Sequence, residues 1–155
     1  MTQAIMLSVQ PKWCQLIAEG KKTIECRKDV PGILRGSAAT KAKVYIYCTK
    51  ARTITWRHPK TGERMDGRVV GEFICDDVFF AKRVDKGCQI HYRKIMEEAC
   101  LTEREIDAYS KGADVYGWHI SGFRLFESPI PLSDFGITNA PQSWVYTEDR
   151  TSCTE

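Results

Sequence analysis

Apolar positions along this chain recur in two periods. Residues 4–9, AIMLSV, are an almost unbroken apolar run, which predicts a buried first strand. In the following QPKWCQLIAEG, Trp13, Leu16 and Ile17 fall at helical spacing, which predicts a short helix with these three as its buried stripe. Pro11 suits the first helical position and Gly20 the residue just past the last turn. TIECR, 23–27, then alternates as a strand does, with Ile24 and Cys26 facing one way and Thr23, Glu25 and Arg27 the other.

KVYIYCT, 43–49, predicts another strand. Residues 52–84 predict a hairpin with its tip near PKTGE, running into a long strand from Arg68 to about Val84 that bends at Gly71. Residues 88–111 predict helix, with TERE at 102–105 as a capping box. VYGWHISGFRLFESPIPLSDF returns to strand and stops at prolines, and APQSWVY offers a last short strand. This mixture predicts one compact α+β domain over 1–150, with 151–155 as a flexible tail.

Composition narrows the class. A chain of 155 residues with 43% hydrophobic and 28% charged residues has an ordinary globular balance. No apolar run approaches the roughly 18 residues of a membrane span, and the N-terminus lacks a signal-peptide pattern; both point to a cytoplasmic protein without membrane attachment. The cysteines, at 14, 26, 48, 75, 88, 100 and 153, are odd in number and form no C-x-x-C pair. They read as buried free thiols rather than disulfides or metal ligands. The net charge of +3 is unevenly placed. Residues 1–60 carry 12 Lys/Arg against 3 Asp/Glu, and residues 61–155 carry 11 against 17. That asymmetry suggests a basic face for an anionic partner.

The polar side of 20–27 concentrates the chemistry. Lys21, Lys22 and Arg27 are suited to phosphate oxygens, Arg27 by its planar fork. Glu25 is suited to accept from base amino groups or hydroxyls, and Lys22 or Glu25 to serve as a catalytic base. A surface strand with an incidental ion pair would carry the same residues. GKKTIECR, with Gly20, Lys22, Glu25 and Arg27 at its fixed positions, resembles the G-x-K-x-x-E-x-R pattern of the ASCH domain family. Its flanks resemble the family too: LSVQPKWCQLIAEG before it, GRVVGEFICDDV in the middle, and YGWHISGFRLFESPIPLSDF with APQSWVY as in small, often phage-associated members. The resemblance implies a closed PUA-like small β-barrel of about five to seven strands with two or three short flanking helices. It implies a cleft for RNA or a nucleotide lined by the motif. In deacetylating relatives a threonine attacks the amide of N4-acetylcytidine, aided by the motif lysine and a distant glutamate. That threonine falls at Glu25 here, and Glu97 or Glu98 stands near the glutamate's place.

Other segments could belong to the same interface. Ser8 and Gln10 lie where a strand meets a helix N-terminus, with Lys12 and Trp13 just inside the helix. Residues 49–68 interleave Lys50, Arg52 and further cations with Trp56, a pattern that suits phosphates and a stacked base but equally a solvated hairpin. Gln142 and Ser143 are candidate donors, with Trp144 as wall or stack. Trp118 reads as core and His119 as partly exposed. The expected partner is RNA or a nucleotide or nucleoside ligand, with no cofactor and no metal. The competing expectation is a hydrolase acting on N4-acetylcytidine-type amides or on RNA. Nothing in the residues points to an oligomeric state.

Overall fold

The computed structural model describes residues 2–35, 41–53, 56–81 and 89–150. The expected continuation of the long strand to Val84, the thiols of Cys88 and Cys153 and the 151–155 tail lie outside them. Six strands and three helices occur among the described residues, in the order β1 (Gln3–Val9), α1 (Pro11–Ala18), β2 (Ile24–Arg27), β3 (Ala42–Cys48), β4 (Arg68–Ala81), α2 (Gln89–Glu98), α3 (Glu103–Ser110), β5 (Val115–Ile130) and β6 (Trp144–Glu148). The fold is α+β with a mixed sheet in the order β2-β5-β4-β3-β1-β6. Among the described residues that order has two ends, so the α+β class and the strand count agree with expectation while the sheet of the described strands is not closed. The chain divides into two compact units, and β4 and β5 contribute residues to both.

The first unit comprises Met1–Glu19, Ala42–Ile74 and Gly122–Glu155. β1 pairs parallel with β3, Ile5 opposite Val44 and Val9 opposite Cys48, and antiparallel with β6, Leu7 opposite Trp144. Ala4 through Val9 are all buried, so both faces of this strand are covered, as its nearly continuous apolar sequence requires. Ala4 and Met6 meet Tyr45, Tyr47, Val69 and Phe126 in one core. In α1 the buried residues are Cys14 and Ile17, while Trp13 and Leu16 are half-buried, so the stripe is rotated from the expected one. Among the described residues the expected hairpin reduces to a single bridge between Arg57 and Arg64 and two backbone bonds at its tip, from the His58 N–H to the Glu63 carbonyl at 2.8 Å and from the Gly62 N–H to the His58 carbonyl at 2.9 Å. Side-chain bonds add to its loop. Arg64 forks onto Asp66 at 2.6 and 2.8 Å, and Asp66 also accepts the Ala51 N–H at 3.0 Å. His58 Nδ1 accepts the N–H of Lys60, so its Nε2 carries the proton it donates to the Phe126 carbonyl at 2.8 Å.

The second unit comprises Gly20–Lys41 and Cys75–Ser121. β2 pairs antiparallel with β5, Ile24 opposite His119 and Arg27 opposite Tyr116. Its core joins Ile24, Cys26, Ala81, Ile95, Ala99, Ile106 and Val115. Gly117 admits α2: a Cβ there would stand 2.7 Å from Ile95 and 2.9 Å from Ile24. The expected helix over 88–111 is two helices, broken at Cys100, whose φ is +58°. The capping box starts the second one: Thr102 Oγ1 accepts the Glu105 N–H at 3.1 Å, and Glu105 accepts the Thr102 N–H at 3.2 Å.

Two stability predictions follow from this packing. At Gly71 a Cβ would lie 2.6 Å from the Arg124 carbonyl oxygen and 2.8 Å from the Phe123 ring, so the glycine marks a close approach of β5 to β4. Gly71→Ala is expected to cost about 2–3 kcal/mol by urea denaturation, because the obstacle is backbone and cannot swing aside. Burial also pushes the thiols of Cys26 and Cys75 up to about 12 from an ordinary 9.0, with the charge of Glu25 adding to the effect on Cys26. The unfolded chain therefore loses these protons before the folded one. Their contribution is intact below pH 9.0 and is lost as pH rises towards 12. The urea midpoint is expected to fall between about pH 9 and 11, at up to about 1.4 kcal/mol per thiol per pH unit, and less steeply in the Cys26→Ala/Cys75→Ala variant.

Candidate functional site

Three consecutive residues stitch the start of β2 to the end of α2. Cys100 Sγ donates to the Lys21 carbonyl at 3.3 Å, Lys22 Nζ donates to the Ala99 carbonyl at 2.8 Å, and the Thr23 N–H donates to the Glu98 carbonyl at 2.9 Å. Gly20, at φ +75°, turns the chain out of α1 ahead of this seam. The Lys22 ammonium thus lies at a helix C-terminus, where carbonyl dipoles favour a cation. The Ile120 N–H donates to the Thr23 carbonyl at 2.9 Å and holds the other side.

The seam sets where the charged side chains fall. Lys22 Nζ is 3.8 Å from Glu25 Oε2, and Arg27 Nε is 3.4 Å from Glu25 Oε1. The three side chains are 1%, 8% and 12% exposed for Lys22, Glu25 and Arg27. Ile24 and Cys26 are buried on the opposite side. The polar side of β2 was expected to line an accessible cleft; in the structure Glu25 is buried and Arg27 half-buried. Tyr109 of α3, 37% exposed, stands near enough to feel the charges of Arg27 and Glu25. Its hydroxyl is raised from its ordinary pKa, first by burial and against the opposing pull of Arg27. Lys28 Nζ stands 4.9 Å from the Tyr109 ring centroid. Sequence reasoning missed Tyr109, since only the capping box at Thr102 hinted at where α3 would begin.

Both Glu25 contacts exceed the roughly 2.7–2.9 Å of a charge-assisted hydrogen bond. Glu25 Oε2 is buried with no hydrogen-bond partner among the described residues. A buried acceptor without a donor costs roughly 1–3 kcal/mol, and the two flanking cations offset part of that cost. The neighbouring Cys26 thiol, held protonated by its burial, is no nucleophile.

The remaining expected site residues are distributed as follows. Lys21 is exposed and Thr23 half-buried in the second unit. Ser8, Gln10, Lys12, Trp13, Lys50, Arg52, Gln142, Ser143 and Trp144 all belong to the first. There Ser8 is buried, its hydroxyl donating to the Pro141 carbonyl at 2.7 Å and its N–H to the Ser143 carbonyl at 2.9 Å. The strand–helix junction is therefore closed by the segment expected to supply donors. Gln10 makes no side-chain cap, Lys12 Nζ lies 4.3 Å from the Trp13 ring centroid, and Trp144 packs edge-on to Tyr146 at 5.1 Å. Lys50, Arg52 and Gln142 are exposed, while Trp56 is buried and unavailable for stacking. Trp118 is fully buried and His119 half-buried, as expected, with His119 Nδ1 2.6 Å from Asp76 Oδ1. Among the described residues no three His, Cys, Asp or Glu side chains group as metal ligands, and no helix is long and apolar enough to cross a membrane.

Comparison with known proteins bears on the fold and the family. The ASCH protein of Zymomonas mobilis superposes with a TM-score of 0.69 at 19% identity, covering 97% of this chain and 91% of that one. Its serine-to-alanine variant gives 0.69 at 17% identity, covering 97% and 92%. A tyrosine-to-phenylalanine variant gives 0.69 at 18% identity, covering 97% and 94%. At such identities the likeness is one of fold. No curated protein matches the chain. The family model of the ASCH domain matches residues 7–123, which takes in the whole Gly20–Arg27 octapeptide, and the chain belongs to the ASCH domain family.

Proposed function

We propose that this ASCH domain protein binds RNA or a nucleotide, acting in the cytoplasm, and that the group formed by Lys22, Glu25 and Arg27 is its recognition site. The observation that carries the reading is the Glu25 carboxylate, buried between two cations and lacking a hydrogen bond on Oε2. An exocyclic amino group or a ribose hydroxyl supplies the missing donor, and such contacts read a base or sugar by its edge. Phosphates fall to the cations of the same unit: Lys21 and Lys28, both exposed, and the half-buried Arg27. Lys22 has a different role in this reading. Its ammonium already donates to the Ala99 carbonyl, so it positions Glu25 rather than gripping a phosphate.

Binding without turnover is favoured over amide hydrolysis because the residue at the nucleophile's place is a carboxylate in an ion-pair group, and the adjoining Cys26 thiol is held protonated. Incubation with N4-acetylcytidine and short RNAs, followed by mass spectrometry, is expected to return them unchanged; release of cytidine or of cleaved RNA overturns the binding-only reading.

Affinity for single-stranded RNA is expected to fall with salt. With these three cations engaged, the log–log slope is expected to be about −2, from about −0.7 per phosphate. Glu25→Gln keeps the shape and one acceptor but removes the charge. It is expected to weaken binding about tenfold, or about 1–2 kcal/mol, by filter binding. An affinity indifferent to both salt and Glu25→Gln rejects this site.

A further inference from the structure

The first unit contains a pocket of about 490 Å³ that shares no residue with the Lys22–Glu25–Arg27 group. Its wall includes the rings of Tyr45, Phe126 and Phe135, with Arg124, Arg150 and Glu127 also lining it. We propose that this pocket is a separate nucleotide site, in which a base stacks on the outer faces of the Arg124 and Arg150 guanidiniums, backed by the rings beneath them, and the phosphate is taken by the edges of the same two arginines.

The geometry supports each part. Arg124 donates from Nε and Nη2 to Glu72 Oε1 at 3.0 and 2.6 Å, which fixes its guanidinium plane. That guanidinium lies 5.3 Å from the Phe126 ring centroid, and the side chain is 66% exposed. The Arg150 guanidinium lies 4.7 Å from the Phe135 ring centroid and forms no ion pair among the described residues. Its backbone is also anchored, the N–H donating to the Tyr45 hydroxyl at 2.9 Å. Tyr45 and Phe135 pack at 4.9 Å, and Tyr45 and Phe126 belong to the core, so the rings form a rigid backing beneath the two guanidiniums.

This combination selects a ligand class. Bases stack on aromatic rings and on arginine planes alike, and a guanidinium also takes phosphate oxygens in bidentate fashion. An apolar ligand has no use for two arginines, and a bare phosphate leaves the flat guanidinium faces, held in place by the rings behind them, uncovered. The volume lies within the roughly 300–1,000 Å³ of small-ligand sites. Glu127 is an acceptor for an exocyclic amino group, which favours cytosine, adenine or guanine over uracil. A free nucleotide and one unpaired nucleotide of an RNA present the same chemistry, and the test separates them.

The full-length protein is titrated calorimetrically with AMP, CMP, UMP, inorganic phosphate and a single-stranded RNA of about eight nucleotides. Photocrosslinking with 8-azido-AMP and with the same RNA carrying 4-thiouridine maps the label by mass spectrometry. AMP and CMP are expected to bind more tightly than UMP, with label on peptides containing Phe126, Phe135 or Tyr146–Arg150. Arg150→Ala is expected to weaken binding at least about tenfold with an unchanged melting temperature, and Arg150→Lys to restore only part of it, since the charge returns without the plane. RNA binding and labelling at these peptides without free-nucleotide binding supports the site and names RNA as the source. Label confined to residues 20–28 with Arg150→Ala without effect overturns the pocket and leaves the motif site standing. Inorganic phosphate binding as well as AMP, or no binding of any probe, also overturns it.

Discussion

A buried ammonium organises the second unit. Removing the Lys22 charge from water costs several kcal/mol unless other groups replace the lost hydration. The replacements here are the Ala99 carbonyl at 2.8 Å, lying just past the last residue of α2, and the Glu25 carboxylate at 3.8 Å. The first explains the flanking bonds from Thr23 to Glu98 and from Cys100 to Lys21: a lysine that reaches the end of a helix fixes the register of the chain on either side. The second explains why a glutamate is tolerated at 6% exposure in a strand. Arg27 then adds a second cation to the same carboxylate, so the group as a whole is one positive charge in excess. An anionic or donor-rich ligand is the natural complement of that excess.

How much of this was readable beforehand depended on whether the determinant was local. The alternation of TIECR placed Ile24 and Cys26 in the core, and the capping box placed the start of α3, because both signals lie within a few residues. Gly20 likewise ended α1 where a positive φ was needed. The burial of Glu25 was not readable. The residues that neighbour its group, Tyr109 and the seam with residues 98–100, lie more than 70 positions along the chain, and a period of two says nothing about them. The stripe on α1 was met at Ile17 but rotated for a related reason. Trp13 and Cys14 both have helical spacing to Ile17, and packing buried Cys14 while leaving Trp13 and Leu16 half-buried.

The basic segment 49–68 shows the same limit in charge. By composition it carries the strongest nucleic-acid signature in the chain, yet several of its groups are engaged in holding its own shape. Arg64 is forked onto Asp66, which it holds ionised with a pKa lowered to about 2; Arg57 donates to the Gly62 carbonyl at 3.0 Å; Trp56 is buried. Among the described residues the loop keeps a defined form through these side chains together with one bridge and two backbone bonds at the tip. A count of lysines and arginines cannot distinguish such cations from those that present a face to solvent.

What distinguishes them is the fate of each cation's partner. Arg64 and Asp66 neutralise one another in a two-point fork, and such a pair offers little to a ligand. Lys43 is held between Glu72 and Asp149 at 3.5 and 3.1 Å. Glu72 therefore divides its charge between Lys43 and Arg124, and the Arg124 guanidinium keeps an exposed edge although it is bonded. Arg150 rests on an aromatic ring, an attraction that leaves its hydrogen-bond donors directed outward. The cations best placed to meet an anion are thus those stacked on rings or sharing a carboxylate, Arg124 of β5 and Arg150 in the first unit and Arg27 in the second, rather than those of the 49–68 segment.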